Sequence, residues 1–496
     1  GTHTVSVRKG ARRAFSHLHS CCLSALREPV DNARALGPRW NAASLDVTLR
    51  PRPEWGFGAD EDVLVIVEDG AGASVGDVKR MVDVGHATGD AERDTERGIY
   101  SLFGVGFDAF LHHCGDEALL YSKHAPAGGG PTRMVVARTG RVMNDALEAK
   151  NKDREQPMQL TTLAFDAEGT PLLDTGNKDR VMAQDMLGLH EESYGSPFWV
   201  DESTPIPQRK RLMMRPFELL EGKATGTAII LGRLKRKEGG AGVLASTEGG
   251  DIAEEDAPFK VKGLREFLSR VYLPPDSGLF PLPGVDADLG GPSPMRMTVN
   301  GAPVRPEDHP WSAALAAGRG EGDCKGEAWY RWEPSGLVTL DVAGAGEAYA
   351  RFVWAAGDHN ERKDAPQGVM QYYAVRDRVY DIDPRTTEAA DLSKGFIRSG
   401  PGSNRAGYKT LRARLAGAGL GDERPFERVA GGELFGMKEW LRMTKVRQLS
   451  ILGQGLVAVV RADFLEPDQS KEAAKPTAAK AALERLVWQA AVEYAY

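Results

Sequence analysis

The chain has 496 residues, more than one hydrophobic core normally organises, so two or three domains are expected. Its 41% hydrophobic and 27% charged residues are typical of a globular protein, and its longest apolar runs are far shorter than the ~20 residues that cross a membrane. The formal net charge of -7 does not attract nucleic acid, so DNA contact would need a local patch or a further segment.

Residues 1–240 alternate helical and strand-like patterns, which predicts an α/β (α+β) domain. The apolar spacing predicts a helix over 20–35. Alternating or continuous apolar runs predict strands at 45–49, 62–67, 117–122, 133–138 and 227–234.

A composition rich in Gly, Glu and Lys at 236–256 is typical of an exposed linker, which we place at 241–260. A second α/β domain is expected at 261–470, followed by a C-terminal helix within 471–496. Its strands are predicted at 295–299, 337–342, 349–354, 369–375 and 455–464. The composition of 391–433 indicates only a long loop with short helices.

The four cysteines are Cys21, Cys22, Cys114 and Cys324. Their scatter matches neither a zinc-binding pair nor the disulfide framework of a small secreted domain. We therefore expect reduced thiols that are buried or half-buried.

Glu28 and Asn32 lie four residues apart on the first predicted helix, so they share one face. A carboxylate there can accept a proton from water that attacks a phosphate, and an amide oxygen is a suitable ligand for Mg²⁺. The alternative is a solvated helix face with an incidental polar pair.

Two glycine-rich loops follow. Asp69-Gly70-Ala71-Gly72 ends a buried strand, where the aspartate could accept a hydrogen bond from an exocyclic amine and the glycines permit close approach of a planar base. The loop 103–107 precedes a helical pattern, and backbone N–H groups at such a start can hold phosphates. Each loop taken alone is also compatible with an ordinary turn.

In order, these motifs resemble the GHKL ATPases, and in detail the MORC family. REPVDNARALG resembles that family's AELLDNARDAG, and LVIVEDGAGAS resembles its strand followed by DDGxGMS. FGVGFDAFLHHCGDEALLYSK is similar to GNGxKSxxMRxGxDxxxFTK, and EGKATGTAIILGRL to DGKxGTxIIIxNL. The likeness covers most of 15–470, with gaps.

The resemblance implies a role for each motif residue. Glu28 would be the general base for water, and Asn32 the Mg²⁺ ligand. Asp69 would bind adenine, with Gly72 beside the base and Thr227 supporting that contact. Phosphates would be held by the backbone amides of Gly104, Val105, Gly106 and Phe107.

The same resemblance implies a GHKL-type sandwich of helices on a mixed sheet, followed by a ribosomal-protein-like α/β transducer domain. The expected cofactors are ATP and Mg²⁺. Family members dimerise when ATP closes a lid, here about 84–103, and clamp DNA or chromatin. For this chain we expect a homodimer on ATP binding, DNA or chromatin contact with the help of other proteins, no membrane, and a nuclear setting.

Several residues depart from the family pattern. Pro29 lies inside the helix next to the expected base, and Ser101 stands where the family has a glycine. Asp108 replaces a lysine near the phosphates, and Leu452 replaces the transducer lysine, with Lys445 and Arg447 as the alternative candidates for its role. Lost cation contacts to a transferring phosphoryl group lower its rate. A degenerate scaffold without hydrolysis, or another GHKL machine such as a MutL-like repair ATPase or a chaperone, therefore remain alternatives.

Overall fold

The computed structural model describes seventeen segments of the chain. They are residues 2–4, 19–34, 42–51, 62–81, 106–126, 129–140, 159–168, 171–172, 205–240, 242–255, 263–272, 295–305, 337–354, 370–375, 378–380, 456–466 and 474–495. The chain divides into two compact units: Gly1–Arg265 together with Gly284–Val304, and Glu266–Pro283 together with Arg305–Tyr496.

The first unit contains a ten-stranded mixed sheet. Its strands are β1 (Thr2–Thr4), β2 (Ser44–Pro51), β3 (Asp62–Glu68), β4 (Gly115–His124), β5 (Arg133–Gly140), β6 (Gln159–Phe165), β7 (Pro171–Leu172), β8 (Gly226–Leu234), β11 (Arg296–Val299) and β12 (Ala302–Pro303). The order is β1-β6-β5-β4-β8-β3-β2-β11-β12, with β7 beside β6. A separate hairpin is formed by β9 (Leu244–Ser246) and β10 (Ile252–Glu254). This arrangement confirms the predicted mixed α/β class.

The helices of the first unit are α1 (Cys22–Ala25), α2 (Arg27–Arg34), α3 (Val75–Met81), α4 (Gly106–Cys114) and α5 (Ile206–Met214), with a 3-10 helix at Arg215–Leu220. Helix α6 (Leu264–Tyr272) begins at the last residues of the first unit and belongs mostly to the second.

The sheet is covered on one face by an apolar cluster. Val63, Val65 and Val67 alternate along β3 and pack with residues of β4, β8, α5 and the 3-10 helix. Each fully buried side chain of this size stabilises the fold by about 1.5–3 kcal/mol. Leu64, Ile66 and Glu68 therefore point to the opposite face, where α4 packs on β4 and β8.

The first predicted helix is present but interrupted. Its apolar stripe is buried as expected, with Leu23, Leu26, Val30 and Ala33 nearly inaccessible. The break falls at Leu26, between α1 and α2. Pro29 explains it, because proline has no N–H to bond back to residue 25 and its ring crowds that carbonyl group. The interruption places Glu28 in the first turn of α2.

The segment predicted as a linker contains the β9–β10 hairpin. Leu244 and Ile252 are buried, and the Glu254 carboxylate accepts hydrogen bonds from the N–H groups of Cys22 (3.1 Å) and Leu23 (2.8 Å). Glu254 thus satisfies donors at the start of α1 that the helix itself leaves open. Composition suggested exposure, but alternate apolar positions in this short hairpin make it part of the fold.

Strand β11 lies in a different place from the one expected. The sequence pattern put 295–299 in the second domain, whereas the strand pairs in parallel with β2 of the first sheet. The pairing is reinforced by Asn300, whose side-chain oxygen accepts a hydrogen bond from the Leu49 N–H at 2.9 Å. Strand patterns predict that a strand exists but not which neighbour it pairs with.

The expectation of reduced thiols is wrong for two cysteines. Cys22 on α1 and Cys114 at the end of α4 form a disulfide, with their Cα atoms 5.1 Å apart. Cys21 is buried outside this disulfide, and its sulfur accepts a hydrogen bond from the Ser24 N–H at 3.4 Å; Cys324 lies outside the described residues. The two partners are 92 residues apart, so sequence spacing gave no indication of their contact.

The second unit contains a five-stranded sheet and a long helix. The strands are β13 (Val338–Val342), β14 (Gly346–Trp354), β15 (Met370–Val375), β16 (Arg378–Tyr380) and β17 (Leu456–Arg461), in the order β13-β14-β17-β15-β16. Helix α7 (Ala478–Ala495) packs on β13, β14 and β17 and buries Leu483 and Val487. These elements confirm four predicted strands and the C-terminal helix, while 391–433 lies outside the described residues.

None of the helices in the described segments has the length and apolar character needed to span a bilayer.

Candidate functional site

Glu28 is buried, with 3% of its surface exposed. The alternative of a solvated helix face therefore does not hold for this residue. Its carboxylate lies against Gly106, the first residue of α4: a Cβ atom added at Gly106 would overlap Glu28 Oε2, and its distance to Glu28 Cγ would be 3.1 Å. The first helix motif and the second glycine loop, which are 78 residues apart in sequence, thus meet here.

Gly106 opens a nine-residue helix whose first N–H groups have no partner within the helix. Such an N-terminus carries a partial positive charge and favours anions. Phe107 and Phe110 anchor the helix, both buried. A side chain at position 106 would displace the Glu28 carboxylate, so the backbone at this point lies close both to an acidic group and to the N–H groups at the start of the helix.

Asn32 lies one turn beyond Glu28 on α2 and is half-buried. Residues four apart on a helix have Cβ atoms about 5–6 Å apart, so the amide and the carboxylate share one side of α2. Among the described residues, no hydrogen bond to the Asn32 side chain is present.

A buried histidine contacts the same carboxylate. His19 Nε2 lies 3.5 Å from Glu28 Oε1, and His19 Nδ1 lies 3.3 Å from Ser24 Oγ. The ring also packs edge-on against His113 of α4, with ring centroids 5.7 Å apart. Glu28 therefore has His19 at one oxygen and Gly106 at the other.

At the end of β3, Asp69 is held by the start of β2. Oδ1 accepts hydrogen bonds from the N–H groups of Ala43 and Ser44, and Oδ2 from the Ser44 hydroxyl, each at 2.7 Å. Burial raises the pKa of Asp69, but the hydrogen bonds from Ser44 and Ala43 and the charge of Lys223 outweigh it, so the pKa lies below its ordinary value. Asp69 is thus an ionised group with both oxygens already bonded.

Gly72 fastens the same loop to β4. Its φ of +70° is in the left-handed region, and an added Cβ would overlap the Lys123 carbonyl group and lie 3.1 Å from Ser122 Oγ. Ser122 Oγ accepts a hydrogen bond from the Ala73 N–H at 2.5 Å. The loop geometry therefore requires glycine at this position.

A polar row crosses the sheet beside this loop. Glu68, Thr227 and Ser122 occupy paired positions on β3, β8 and β4, so their side chains share one face. Burial raises the pKa of Glu68, outweighing the Thr227 hydroxyl and the Gly70 N–H, which donates to its carboxyl group. The carboxyl group of Glu68 thus favours its neutral form more than an exposed glutamate does.

The expected site residues fall into two groups on one sheet. Glu28, Asn32, Gly106 and Phe107 belong to the helical layer formed by α2 and α4. Asp69, Gly72 and Thr227 belong to the sheet end, where an added Cβ at Gly226 would lie 3.3 Å from Asp69 Cα. Helix α4 packs on β4 and β8, the strands that carry Ser122 and Thr227, so both groups adjoin the same central strands.

Comparison of the chain with protein-family models and with curated proteins finds no match. The case for a function therefore depends on the residues themselves. Among the described residues, no cluster of three or more His, Cys, Asp or Glu side chains is arranged around a common metal position. Mg²⁺ that is bound together with phosphates needs only one or two protein oxygens, and the Asn32 amide is compatible with that role.

Several expected residues cannot be placed. Gly104, Val105, Ser101 and the lid at 84–103 lie outside the described residues, as do Leu452, Lys445 and Arg447. Their assigned roles stay predictions.

Sequence reasoning missed three residues beside the site: His19, Glu68 and Glu254. His19 lies nine residues before Glu28 and precedes the start of α1, so helix periodicity does not predict that the two side chains meet. Glu68 was left outside the predicted strand 62–67, whereas the strand extends to Glu68; a glutamate next to a continuous apolar run is itself a signal for a special environment. Nothing in the sequence linked Glu254 to residue 22.

Proposed function

We propose that the chain binds ATP and Mg²⁺ in its first unit and hydrolyses the nucleotide slowly, as a GHKL-type, MORC-like clamp. The contact between the Glu28 carboxylate and Gly106 carries this proposal. It joins a buried base to the start of a helix that favours phosphate, which is the pairing that hydrolysis of a terminal phosphate needs.

In the proposed reaction, Glu28 takes the proton of a water molecule as the water oxygen forms a bond to the γ-phosphorus. The bond between that phosphorus and the bridging oxygen breaks, and ADP leaves with the electron pair. The N–H groups of Gly106 and Phe107 donate to phosphate oxygens, which disperses their negative charge.

Asn32 fits a single-residue Mg²⁺ ligand because its amide lies on the Glu28 side of α2 and has no described hydrogen-bond partner. The metal supplies charge neutralisation at the phosphates when it is bound. The role that the resemblance implies for Thr227, support of the adenine contact, is consistent with its burial. Thr227 pairs with Glu68, which directly precedes Asp69 in the chain.

For Asp69 to bind adenine, its carboxylate would have to accept a further hydrogen bond beside those it already accepts. Both oxygens already accept hydrogen bonds from β2, although a carboxylate has about four lone-pair sites in all. An exocyclic amine would therefore share Oδ2 with the Ser44 hydroxyl.

Nucleotide-driven homodimerisation, a transducer role for the second unit, and retention of DNA or chromatin together with other proteins in the nucleus belong to the same proposal. They are supported by the sequence resemblance. Because the chain carries a net charge of -7, DNA retention would depend on a local basic surface. Contacts of that surface with DNA phosphates release counterions, so retention would fall as the salt concentration rises.

Steady-state phosphate release in the presence of Mg²⁺ tests the proposal. Glu28→Gln should abolish turnover, by at least ~100-fold, while nucleotide binding persists, because the substitution removes the base and keeps the shape. Glu221→Gln, at an exposed carboxylate, is the matched control and should turn over like the parent. Equal rates in the parent and Glu28→Gln would contradict hydrolysis at this site.

A second candidate is a scaffold that binds nucleotide without hydrolysing it. Two observations favour it: Asp108 occupies the third position of α4, where a negative charge opposes phosphate, and Pro29 interrupts the helix beside the base. Binding with a dissociation constant in the micromolar range and no phosphate release in the parent protein would support the scaffold.

A further inference from the structure

The contact between His19 and Glu28 joins two groups that water reaches poorly. The exposed fractions of the two side chains are 1% and 4%. A carboxylate taken out of water needs a donor, and a long contact of 3.5 Å between Nε2 and Oε1 can shorten when a ligand closes the site.

The other ring nitrogen has a hydroxyl neighbour, which accepts from Nδ1–H in one tautomer and donates to bare Nδ1 in the other. Ser24 Oγ lies 3.3 Å from His19 Nδ1, and a hydroxyl group can donate to that nitrogen. With the Ser24 hydroxyl donating to Nδ1, the neutral ring carries its hydrogen on Nε2, which faces Glu28.

Three elements hold the imidazole in place. Ser24 lies on α1, Glu28 on α2, and His113 on α4 packs its ring edge-on against His19. The ring therefore cannot turn away from Glu28 without breaking contacts on two other helices.

We propose that His19 is a positioning residue: by donating from Nε2 to Oε1, it turns the Glu28 carboxylate so that Oε2 faces the start of α4 at Gly106. This inference rests on the proposed ATP hydrolysis. During the reaction the water proton goes to the Glu28 carboxylate, and His19 keeps its own hydrogen throughout. Loss of the donor leaves the carboxylate present but misdirected, which lowers the rate of the chemical step more than it weakens binding.

Two variants at residue 19 separate orientation from packing. His19→Leu removes the donor, and kcat should fall about 100-fold while KM changes less than about threefold. His19→Gln restores an N–H donor near the Nε2 position, so kcat should recover at least about tenfold over His19→Leu. If His19→Gln is as slow as His19→Leu, or if His19→Leu keeps the parent kcat, the proposal is overturned.

His112→Leu is the matched control, because His112 is a half-buried histidine of α4 whose ring contacts His113. It should keep kcat within about twofold. In the Glu28→Gln background, His19→Leu should cause no further loss, since both residues act through one carboxylate.

A readout without turnover distinguishes this inference from the function on which it rests. In protein labelled with ¹⁵N-histidine at pH 8, with the resonance assigned from its absence in His19→Leu, neutral His19 should carry its hydrogen on Nε2. A hydrogen on Nδ1 overturns the proposal. If the parent does not hydrolyse ATP but His19 carries its hydrogen on Nε2, the proposed function is contradicted and the His19–Glu28 contact stands. If hydrolysis depends on Glu28 but not on residue 19, the positioning role of His19 is contradicted and the proposed function stands.

Discussion

The carboxyl groups of the helical layer and of the sheet end have different surroundings. At the sheet end, Asp69 is bonded at both oxygens by β2, which fixes it as an ionised part of the scaffold. In the helical layer, Glu28 faces a histidine at one oxygen and a glycine at the other. The two carboxyl groups thus differ in surroundings: that of Asp69 is held by backbone and hydroxyl donors of one strand, and that of Glu28 lies between a histidine ring and the first residue of a helix.

The comparison is sharpest at Gly106. Gly106→Ala would push a methyl group into the Glu28 carboxylate, so turnover should fall by about 100-fold or more. The measurement is the rate of phosphate release. Gly76→Ala is the control, because Gly76 lies on helix α3 and an added Cβ meets only Ser74 Oγ, at 3.7 Å; it should keep turnover and gain up to about 1 kcal/mol of stability. Full activity in Gly106→Ala would contradict the placement of Glu28.

The second-largest effect is expected from the disulfide, which links α1 to α4 in the helical layer and has no partner at the sheet end. The Cys22–Cys114 disulfide closes a long loop, so its reduction should lower the free energy of unfolding by about 2–4 kcal/mol. Urea unfolding with and without a dithiol reductant measures the loss. Cys22→Ser should respond no further to the reductant, and an identical response of the parent and Cys22→Ser would rule out this bond.

At the sheet end, Asp69→Asn should lower stability at pH 7 by about 1 kcal/mol, a modest figure because the residue is partly exposed. The pKa of Asp69 lies below its ordinary 3.8, so its contribution is present above that pH and is lost as the pH falls through the folded-state pKa. The unfolding curves of the parent and the variant should therefore converge at low pH. A difference that is constant from pH 7 to pH 3 would contradict the bonded state.

The smallest effect is expected at the neighbouring Glu68, with the opposite sign. Its pKa is raised from 4.5 by burial, so the parent is favoured below that pH and loses stability as the pH rises through the folded-state pKa. Relative to the parent, Glu68→Gln should therefore gain on the order of 0.5 kcal/mol between pH 4 and pH 8. Denaturant unfolding at the two pH values measures the change, and a gain toward acid pH would contradict it.

Local patterns predicted much of the fold. The helix stripe of Leu23, Leu26, Val30 and Ala33 and the alternating Leu45, Val47 and Leu49 of β2 were predicted because burial follows helix and strand periods. Partners distant in sequence were not readable: β11 joined the first sheet, Glu254 capped α1, and Cys22 met Cys114. Each of these contacts joins residues far apart in the sequence, and the local helix and strand periods do not specify such pairings.

The site was predictable only in part for the same reason. Glu28 and Asn32 share a helix face by spacing alone, and the glycine loops were visible as motifs. The resemblance assigned Glu28 and Gly106 to one nucleotide site, but neither their direct contact nor the contact of His19 with Glu28 was predicted. The anchoring of Asp69 by Ala43 and Ser44 lies in the pairing of β2 with β3, which strand propensity does not specify.

A crystal structure with Mg²⁺ and a non-hydrolysable ATP analogue tests the central claim most directly. The terminal phosphate should lie at the N–H groups of Gly106 and Phe107, with Glu28 Oε2 one water molecule away from the γ-phosphorus and Mg²⁺ at Asn32. An analogue bound elsewhere, or a terminal phosphate out of reach of Glu28, would contradict the account.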